Sequence, residues 1–443
     1  MTDRTSLALD DQTDVGSYFV ATYPPFSVWT TSAVAAEAAP ALHAPPVAGV
    51  PLGMYLHIPF CRKRCHFCYF RVYTDKNAQE VNGYLDVVAR ESELYSTLPA
   101  IAGRKLNFVY FGGGTPSFLS TAQLGGLVSR LTARMPWTDA EEVTFECEPG
   151  TLTESKLATI KSIGVTRLSL GIENFDDRIL EVNGRAHRSP EVYRAYDYAR
   201  SLDFPQINID LIAGMVGETD ENWRSCVQKT VELQPDSVTI YQMELPFNTT
   251  ISGNLLKNTG RFEAIASWST KRRWVGEAFE ALEAAGYHVR SAYTAVRNPA
   301  STRFVYTDRL WQGADMMGLG VASFGHVNGI HVQNHDTWET YGEAIGRGEI
   351  PLSRAYRPSG EERMIRELVL QLKSGSVRPQ YFRDKYQVDI LSRFKEQLSS
   401  LAGAGYLQTP GADLVALTRE GLLRVDSLLK RFFLPEHSGI RYT

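Results

Sequence analysis

The chain has little of what marks the more specialised classes of protein. Its 443 residues hold five cysteines, too few and odd in number for a disulfide framework. No apolar run is long enough to cross a bilayer as a helix, and no signal peptide precedes the first cysteines. Neither sign of charge dominates: 46 lysines and arginines face 50 aspartates and glutamates, a formal net charge of −4 with a pI near 6.2. That balance gives no electrostatic basis for nucleic-acid binding. The expectation is a soluble, cytoplasmic chain in a reducing compartment, with neither membrane nor nucleic acid as partner. A hydrophobic share of 43% is ordinary for a globular protein. The length suits two folded units, one of them a barrel of about 250 residues.

Three of the five cysteines stand together. Cys61, Cys65 and Cys68, in His57-Ile58-Pro59-Phe60-Cys61-Arg62-Lys63-Arg64-Cys65-His66-Phe67-Cys68, follow directly on an apolar stretch at 52–58. Spaced C-x₃-C-x₂-C on one loop, they can hold three corners of a [4Fe–4S] cube. Most clusters have four cysteine ligands and only carry electrons. A cube held at three corners leaves one iron open to chelate a small molecule and reduce it. A zinc site with His66 or His57 as fourth ligand is the alternative, but zinc knuckles rarely follow the first strand of a large α/β domain. Cys147 and Cys226 sit in apolar or helical contexts and read as packing residues.

Residues 1–50 read as an arm or linker, rich in alanine and proline over 33–50. The aromatic segment from Tyr18 to Phe26 is suited to packing over an active-site mouth. From 51 to 293 the pattern alternates. Strands are predicted at 52–58, 107–112, 142–147, 166–172, 206–212, 236–242 and, more weakly, 287–292; helices at 78–98, 121–134, 153–162, 190–202, 219–233 and 262–285. Repeated βα units specify a parallel sheet with helices outside it. Six or seven of them suit a partial, TIM-like (β/α)₆ barrel, whose chemistry gathers at the carboxyl ends of the strands. Residues 294–350 read as a connection that completes the active site. Residues 351–443 read as helices, short strands at 406–408 and 414–417 and a last helix, a winged-helix-like α+β domain. Its third helix, near 391–403, carries only Arg393, Lys395 and Glu396 as charges. It reads as a packing module, since fold alone does not establish DNA binding.

The notable residues fall at predicted strand ends. The second strand runs into Gly112-Gly113-Gly114-Thr115-Pro116, where missing Cβ atoms allow a ligand close to the backbone, here the ammonium and carboxylate of an amino acid. Glu146 and Glu148 share one face of the third strand by its period of two. The fourth ends at Glu173, with Arg185 following; Asp210 stands among apolar residues in the fifth; the sixth offers Gln242 and Glu244. Singly, each carboxylate fits a structural ion pair as well as a ligand contact. Converging on one rim, they make a polar, ligand-binding interior, because buried carboxylates are costly without a partner.

These words together resemble the radical S-adenosylmethionine (SAM) signature, and in detail the group around oxygen-independent coproporphyrinogen III oxidase. The matches are Tyr55-x-His57-Ile58-Pro59-Phe60-Cys61, Phe111-Gly112-Gly113-Gly114-Thr115-Pro116, the Glu146 strand, Asn183-x-Arg185, Asn208-Ile209-Asp210-Leu211-Ile212 and Met317-Gly318-Leu319-Gly320-Val321. The resemblance implies a [4Fe–4S] cluster on Cys61, Cys65 and Cys68 that cleaves SAM to methionine and a 5′-deoxyadenosyl radical. It further implies that Tyr55, Gly113, Gly114, Thr115, Glu146, Glu173, Arg185 and Asp210 line the first SAM, and Phe67, Gly214, Met243 and Val321 a second one. A flavodoxin, ferredoxin or reductase would supply the electron to work on a small-molecule substrate.

The sequence also departs from that group. Phe70 stands where the porphyrinogen oxidase pattern has a further cysteine, an aromatic that the related haem chaperones share, and Glu173 where it has glutamine. The haem-binding run of the related haem chaperones is replaced by Tyr306-Thr307-Asp308-Arg309-Leu310-Trp311. The departures lead us to expect a specialised relative that moves a methyl or methylene unit from a second SAM to an unsaturated carbon of a specialised metabolite. Such a methylase or cyclopropanase would use Glu244, Tyr306 or His326 as proton relay, with a partner methyltransferase as a further expectation. Oxidative decarboxylation of coproporphyrinogen III and a haem chaperone are the alternatives.

Overall fold

The computed structural model describes residues 20–256 and 265–438. Tyr18 and Phe19 of the aromatic segment and the first turn of the helix predicted at 262–285 lie outside the described residues.

Six strands form the scaffold: β1 (Leu52–Ile58), β2 (Leu106–Gly113), β3 (Glu142–Cys147), β4 (Arg167–Glu173), β5 (Gln206–Ala213) and β6 (Ser237–Gln242). Each neighbouring pair is parallel. Helices Ala78–Ser96, Thr121–Arg134, Glu154–Ser162, Ser189–Ser201 and Asp220–Leu233 make the return connections. The strands read as nearly continuous apolar runs because helices cover their outer face. Capping is explicit in the sequence: Asn77 with Glu80, and Ser120 with Gln123, form capping boxes that start two of these helices.

The sheet does not close. Beyond β6 it ends in β7 (His288–Val289) and β8 (Thr294–Val296), which runs antiparallel to β6. On the other side β9 (Asp315–Leu319) joins β1 in parallel, and β10 (Phe324–Val327), β11 (Ile330–Asn334) and β12 (Leu352–Tyr356) extend it antiparallel. The result is an open twelve-stranded sheet. The partial six-unit barrel expected from the sequence is present, with an added antiparallel flank. The glycines of Met317-Gly318-Leu319-Gly320-Val321 serve close backbone packing there: a Cβ on Gly318 would lie 2.1 Å from the Phe324 carbonyl oxygen.

The C-terminal part packs helices Gly360–Leu372, Pro379–Tyr386, Lys395–Gly403 and Val425–Leu429 around a second hydrophobic core. Its two-stranded sheet pairs β13 (Ser376–Val377) with β14 (Val415–Ala416). The strand predicted at 406–408 is reduced to a bridge between Leu407 and Leu417. Residues 20–30 of the arm tie the two cores together. Val20 and Tyr23 are buried in the second core, Val20 N donates to Asp426, and Thr30 bridges to Ala355 on β12.

Candidate active site

The loop after β1 leaves and returns at one point: Tyr73 N donates to Pro59 O (2.7 Å) and Cys61 N to Tyr73 O (3.1 Å). His66 N bonds Asn183 O and Ile251 N bonds His66 O, so neighbouring loops hold it from two sides. Cys61, Cys65 and Cys68 line a single cavity of about 720 Å³, within the roughly 300–1,000 Å³ usual for small-molecule sites. Cys61 Sγ lies 3.3 Å from Thr115 Oγ1, and Arg185 Nη1 donates to Cys65 Sγ at 3.4 Å. Burial pushes the free thiols of Cys61 and Cys68 up to about 11 and 12. As thiolates they need a strong local positive charge, which iron ligation supplies. His66 turns Nδ1 to the Val182 carbonyl (2.9 Å), and His57 Nδ1 lies 3.4 Å from Tyr55 Oη. Among the described residues no three His, Cys, Asp or Glu side chains converge on a single metal ion.

The triple glycine presses the end of β2 against the root of this loop. A Cβ on Gly113, whose φ is +114°, would lie 2.6 Å from His57 Nδ1, and one on Gly114 would lie 2.9 Å from the Pro59 carbonyl carbon. Close packing is thus one role for these glycines, besides the ligand approach expected from sequence; both still face the cavity.

Three carboxylates project from the ends of β3, β4 and β5. Glu173 sits at a register shift in β4 with φ +65°, a conformation non-glycine residues rarely adopt. Its Oε1 lies 3.6 Å from Arg185 Nη2, which also donates to the Gly171 carbonyl. Burial, and the Asp210 and Glu146 charges, push Glu173 up to about 7 against the pull of Arg185. Glu146 is likewise raised to about 7 by burial and by Asp210, although it accepts a hydrogen bond from Tyr110 Oη at 2.6 Å. Asp210 is raised by burial, against hydrogen bonds from Ser169 (2.8 Å) and Asn208 (2.9 Å). Burial alone would depress the Arg185 guanidinium, but Cys65, Glu173 and Glu148 outweigh it and keep the group charged.

Glu148 behaves differently. Arg62 holds it through two bonds of 2.9 and 2.8 Å, and His187 Nδ1 stands 3.3 Å away. Burial would raise this carboxyl, but His187 and Arg62 pull it down to about 2. It clamps the cluster loop to the ends of β3 and β4.

A second chamber of about 1330 Å³ adjoins the first. Arg64, Tyr69, Phe70, Tyr110, Glu146, Tyr241 and Tyr293 belong to both walls. It lies along the inner face of the sheet toward the antiparallel flank, and Val20–Thr22, Phe26 and Trp29 of the arm form part of its lining. Its walls carry ten lysines and arginines against three carboxylates, whereas the first chamber has seven against six. Tyr110 packs on Tyr306 and Tyr55 at ring distances of 4.4 and 5.8 Å, and the Arg167 guanidinium sits 4.0 Å over the Phe304 ring.

The residues singled out from sequence divide between the two spaces. Phe67, Gly113, Gly114, Thr115, Glu146, Glu173, Arg185, Asp210, Met243 and Glu244 line the first chamber. Tyr55, Tyr306 and His326 line the second, so the three relay candidates do not meet at one point. Gly214 and Val321 line neither. Gly214 gives passage to the Lys271 stem, which a Cβ would meet at 2.9 Å, and Val321 is fully buried with its N–H bonded to Tyr84 Oη. Sequence reasoning missed Tyr110, Arg167, Arg354, Arg366 and His331. Only His331 had a legible signal: Asn328-Gly329 is a two-residue hairpin turn with positive φ at both positions, which sets His326 opposite His331.

Comparison with known proteins agrees with this geometry. Residues 55–229 match the radical SAM superfamily. The chain is 28% identical over 371 residues to the haem chaperone HemW of Bacillus subtilis, covering 83% of this chain and 96% of that one. It is 27% identical over 416 residues to the oxygen-independent coproporphyrinogen III oxidase of Pseudomonas aeruginosa, covering 89% of each. The structure of coproporphyrinogen III oxidase (HemN) from Escherichia coli superposes with a TM-score of 0.81 at 21% identity, over 93% of this chain and 96% of that one. The methylase or cyclopropanase subtype expected from sequence finds no support among these relatives, which are oxidases and chaperones. The cofactors are a [4Fe–4S] cluster and SAM, and the three thiols and the carboxylate rim fit them.

Proposed function

We propose that this radical SAM enzyme of the HemN-like type acts on a large, polycarboxylate substrate, by the oxygen-independent oxidative decarboxylation named for its oxidase relatives. The observation that carries this reading is the second chamber: larger than most small-molecule sites, aromatic, and lined by ten cations to three carboxylates. Of these cations Arg71, Arg303, Arg309 and Lys373 are ion-paired, and the other six are in no ion pair among the described residues. A tetrapyrrole with several propionates has the size, the flat apolar body and the negative charge such a space calls for.

When bound, the cluster and SAM supply a 5′-deoxyadenosyl radical that takes a hydrogen atom. The chain's own residues do the rest. Cys61, Cys65 and Cys68 hold the cluster, and Glu146, Glu173 and Asp210 offer negative charge to a cationic ligand. Gln242 Oε1 and Glu244 Oε2 are buried acceptors without partners at the far end of the first chamber, where a second SAM would supply donors. Arg354 and Arg366 hold substrate carboxylates, and Tyr55, Tyr110 and Tyr306 flank its rings. Each propionate that reacts loses one hydrogen atom from its ring-attached methylene, one electron and CO₂ to become a vinyl group. The electron passes to an external acceptor, while reduced flavodoxin or ferredoxin primes the cluster.

Phe70, 41% exposed where the oxidase pattern has a cysteine and the haem chaperones an aromatic, favours a second reading, a haem chaperone, and one-carbon transfer from a second SAM is the third outcome to be told apart. Anaerobic turnover of coproporphyrinogen III deuterated at the propionate methylenes attached to the pyrrole rings separates them. The proposal expects CO₂ and deuterium in 5′-deoxyadenosine. Label entering deoxyadenosine only from methyl-deuterated SAM would favour one-carbon transfer. A Soret band with haem and no turnover would favour a chaperone.

A further inference from the structure

One pair of groups in the second chamber has no part in the chemistry above. His326 on β10 and His331 on β11 are cross-strand partners, with Nδ1 atoms 3.2 Å apart and ring centroids 4.7 Å apart. Both are nearly fully buried, and both face the chamber. Trp29 of the arm stacks on His331, ring centroids 5.0 Å apart and planes within 5°.

Two imidazoles in this contact share one proton between their Nδ1 atoms, so one donates and the other accepts. The Tyr23 carbonyl faces His331 and favours a proton on its Nε2, an atom otherwise buried without a partner. That leaves His331 Nδ1 as the acceptor and His326 Nδ1–H as the donor. The remaining lone pair, on His326 Nε2, is then the one basic nitrogen of the pair.

We infer that this pair is a proton-uptake seat for the anionic substrate: when a carboxylate settles beside His326, the pair takes one proton from solvent and becomes a shared imidazole–imidazolium. The inference rests on the polycarboxylate reading above and deepens it. The charged groups nearest the pair are cationic, with Glu367 paired to Lys385 behind them. Arg366, Arg363 and Lys385 lie near His326, and Arg366 near His331. Burial and these charges hold both rings neutral, well below the ordinary histidine range. An incoming carboxylate reverses the field and removes the penalty on the charged form. Proton binding and anion binding then strengthen each other by the same factor. Arginine is charged at every accessible pH, so the imidazole pair, together with Glu146 on the shared wall, whose value is about 7, lets the affinity for a carboxylate respond to pH in the physiological range.

The probe is coproporphyrin III, an air-stable tetracarboxylate, titrated calorimetrically into the full chain in phosphate and in Tris at equal pH. The inference expects binding enthalpies that differ between buffers by the uptake of up to about one proton per site. Affinity should rise as pH falls from 8 to 6, by no more than about tenfold per pH unit. H326Q should still bind, through Arg354 and Arg366, with the buffer difference cut to the share of Glu146; H331Q should reduce it. Binding with no buffer difference in the parent, or an undiminished difference in H326Q, overturns the inference and leaves the polycarboxylate reading intact. No binding at any pH overturns both.

Discussion

The two chambers share walls and differ in charge. Around the cysteines, seven cations meet six carboxylates, and three of those carboxylates stand at strand ends facing one another. Toward the antiparallel flank, ten cations meet three carboxylates. The titratable groups register the difference in opposite directions. Glu146 and Glu173 are pushed up to about 7, while His326 and His331 are pushed well below their ordinary value. Burial contributes at both ends, but the neighbours do not cancel it: acids crowd acids at one end, and cations crowd imidazoles at the other. Under the proposed function, a cavity so divided takes a cation at one end and a polyanion at the other. SAM carries an ammonium and a sulfonium; a porphyrinogen carries carboxylates.

Removing a cluster ligand should break the comparison altogether. Cys65→Ala loses one thiolate and the Arg185 contact, so iron, sulfide, broad visible absorbance and SAM cleavage should fall to background. Parent-level iron in that variant would show that Cys65 is not a ligand.

Next in size is the carboxylate rim. Glu173→Gln should weaken SAM by up to about tenfold, less than the ~1.5–3 kcal/mol of a full charge-assisted interaction because the oxidase pattern carries glutamine there, with little change for the tetracarboxylate. The same residue gives a pH signature. A carboxyl whose value rises on folding, here from 4.5 to about 7, stabilises the fold below pH 4.5 and loses that contribution as pH rises to 7. Thermal melts of the ligand-free protein should therefore decline between about pH 4.5 and 7 by ~1–3 kcal/mol per such group, less steeply in Glu173→Gln. A parallel decline in parent and variant would contradict this.

At the basic end, Arg354→Met or Arg366→Met should each cost about tenfold in tetracarboxylate affinity and leave SAM binding unchanged. Smallest is Trp29→Ala. Losing the stack on His331 should weaken the tetracarboxylate by less than tenfold, about 1 kcal/mol, read by the same titration.

The carboxylate-rich end was legible in sequence and the basic end was not, for a physical reason. Cys61, Cys65, Cys68, Glu146, Glu173 and Asp210 lie at the ends of consecutive parallel strands, where period and chain order place them on one rim. The basic chamber gathers side chains from distant places: Arg167 from β4, Arg354 from β12, Arg366 from a C-terminal helix, and Trp29 from the arm. No local spacing announces such a convergence. Strand and helix periods were read well from Leu52 to Gln242, whereas the antiparallel flank, short-stranded and built by an Asn-Gly hairpin, passed as a connecting region. The role of Glu148 was also hidden, because its value depends on Arg62 and His187, which come from two other loops.

The central claim is that the larger chamber reads negative charge on its ligand. Its most direct test compares coproporphyrin III with its uncharged tetramethyl ester in one titration series at low and high salt. The account predicts that the free acid binds at least tenfold more tightly and loses affinity with salt, while the ester is indifferent to it. Equal affinity for acid and ester at both salt concentrations would contradict it.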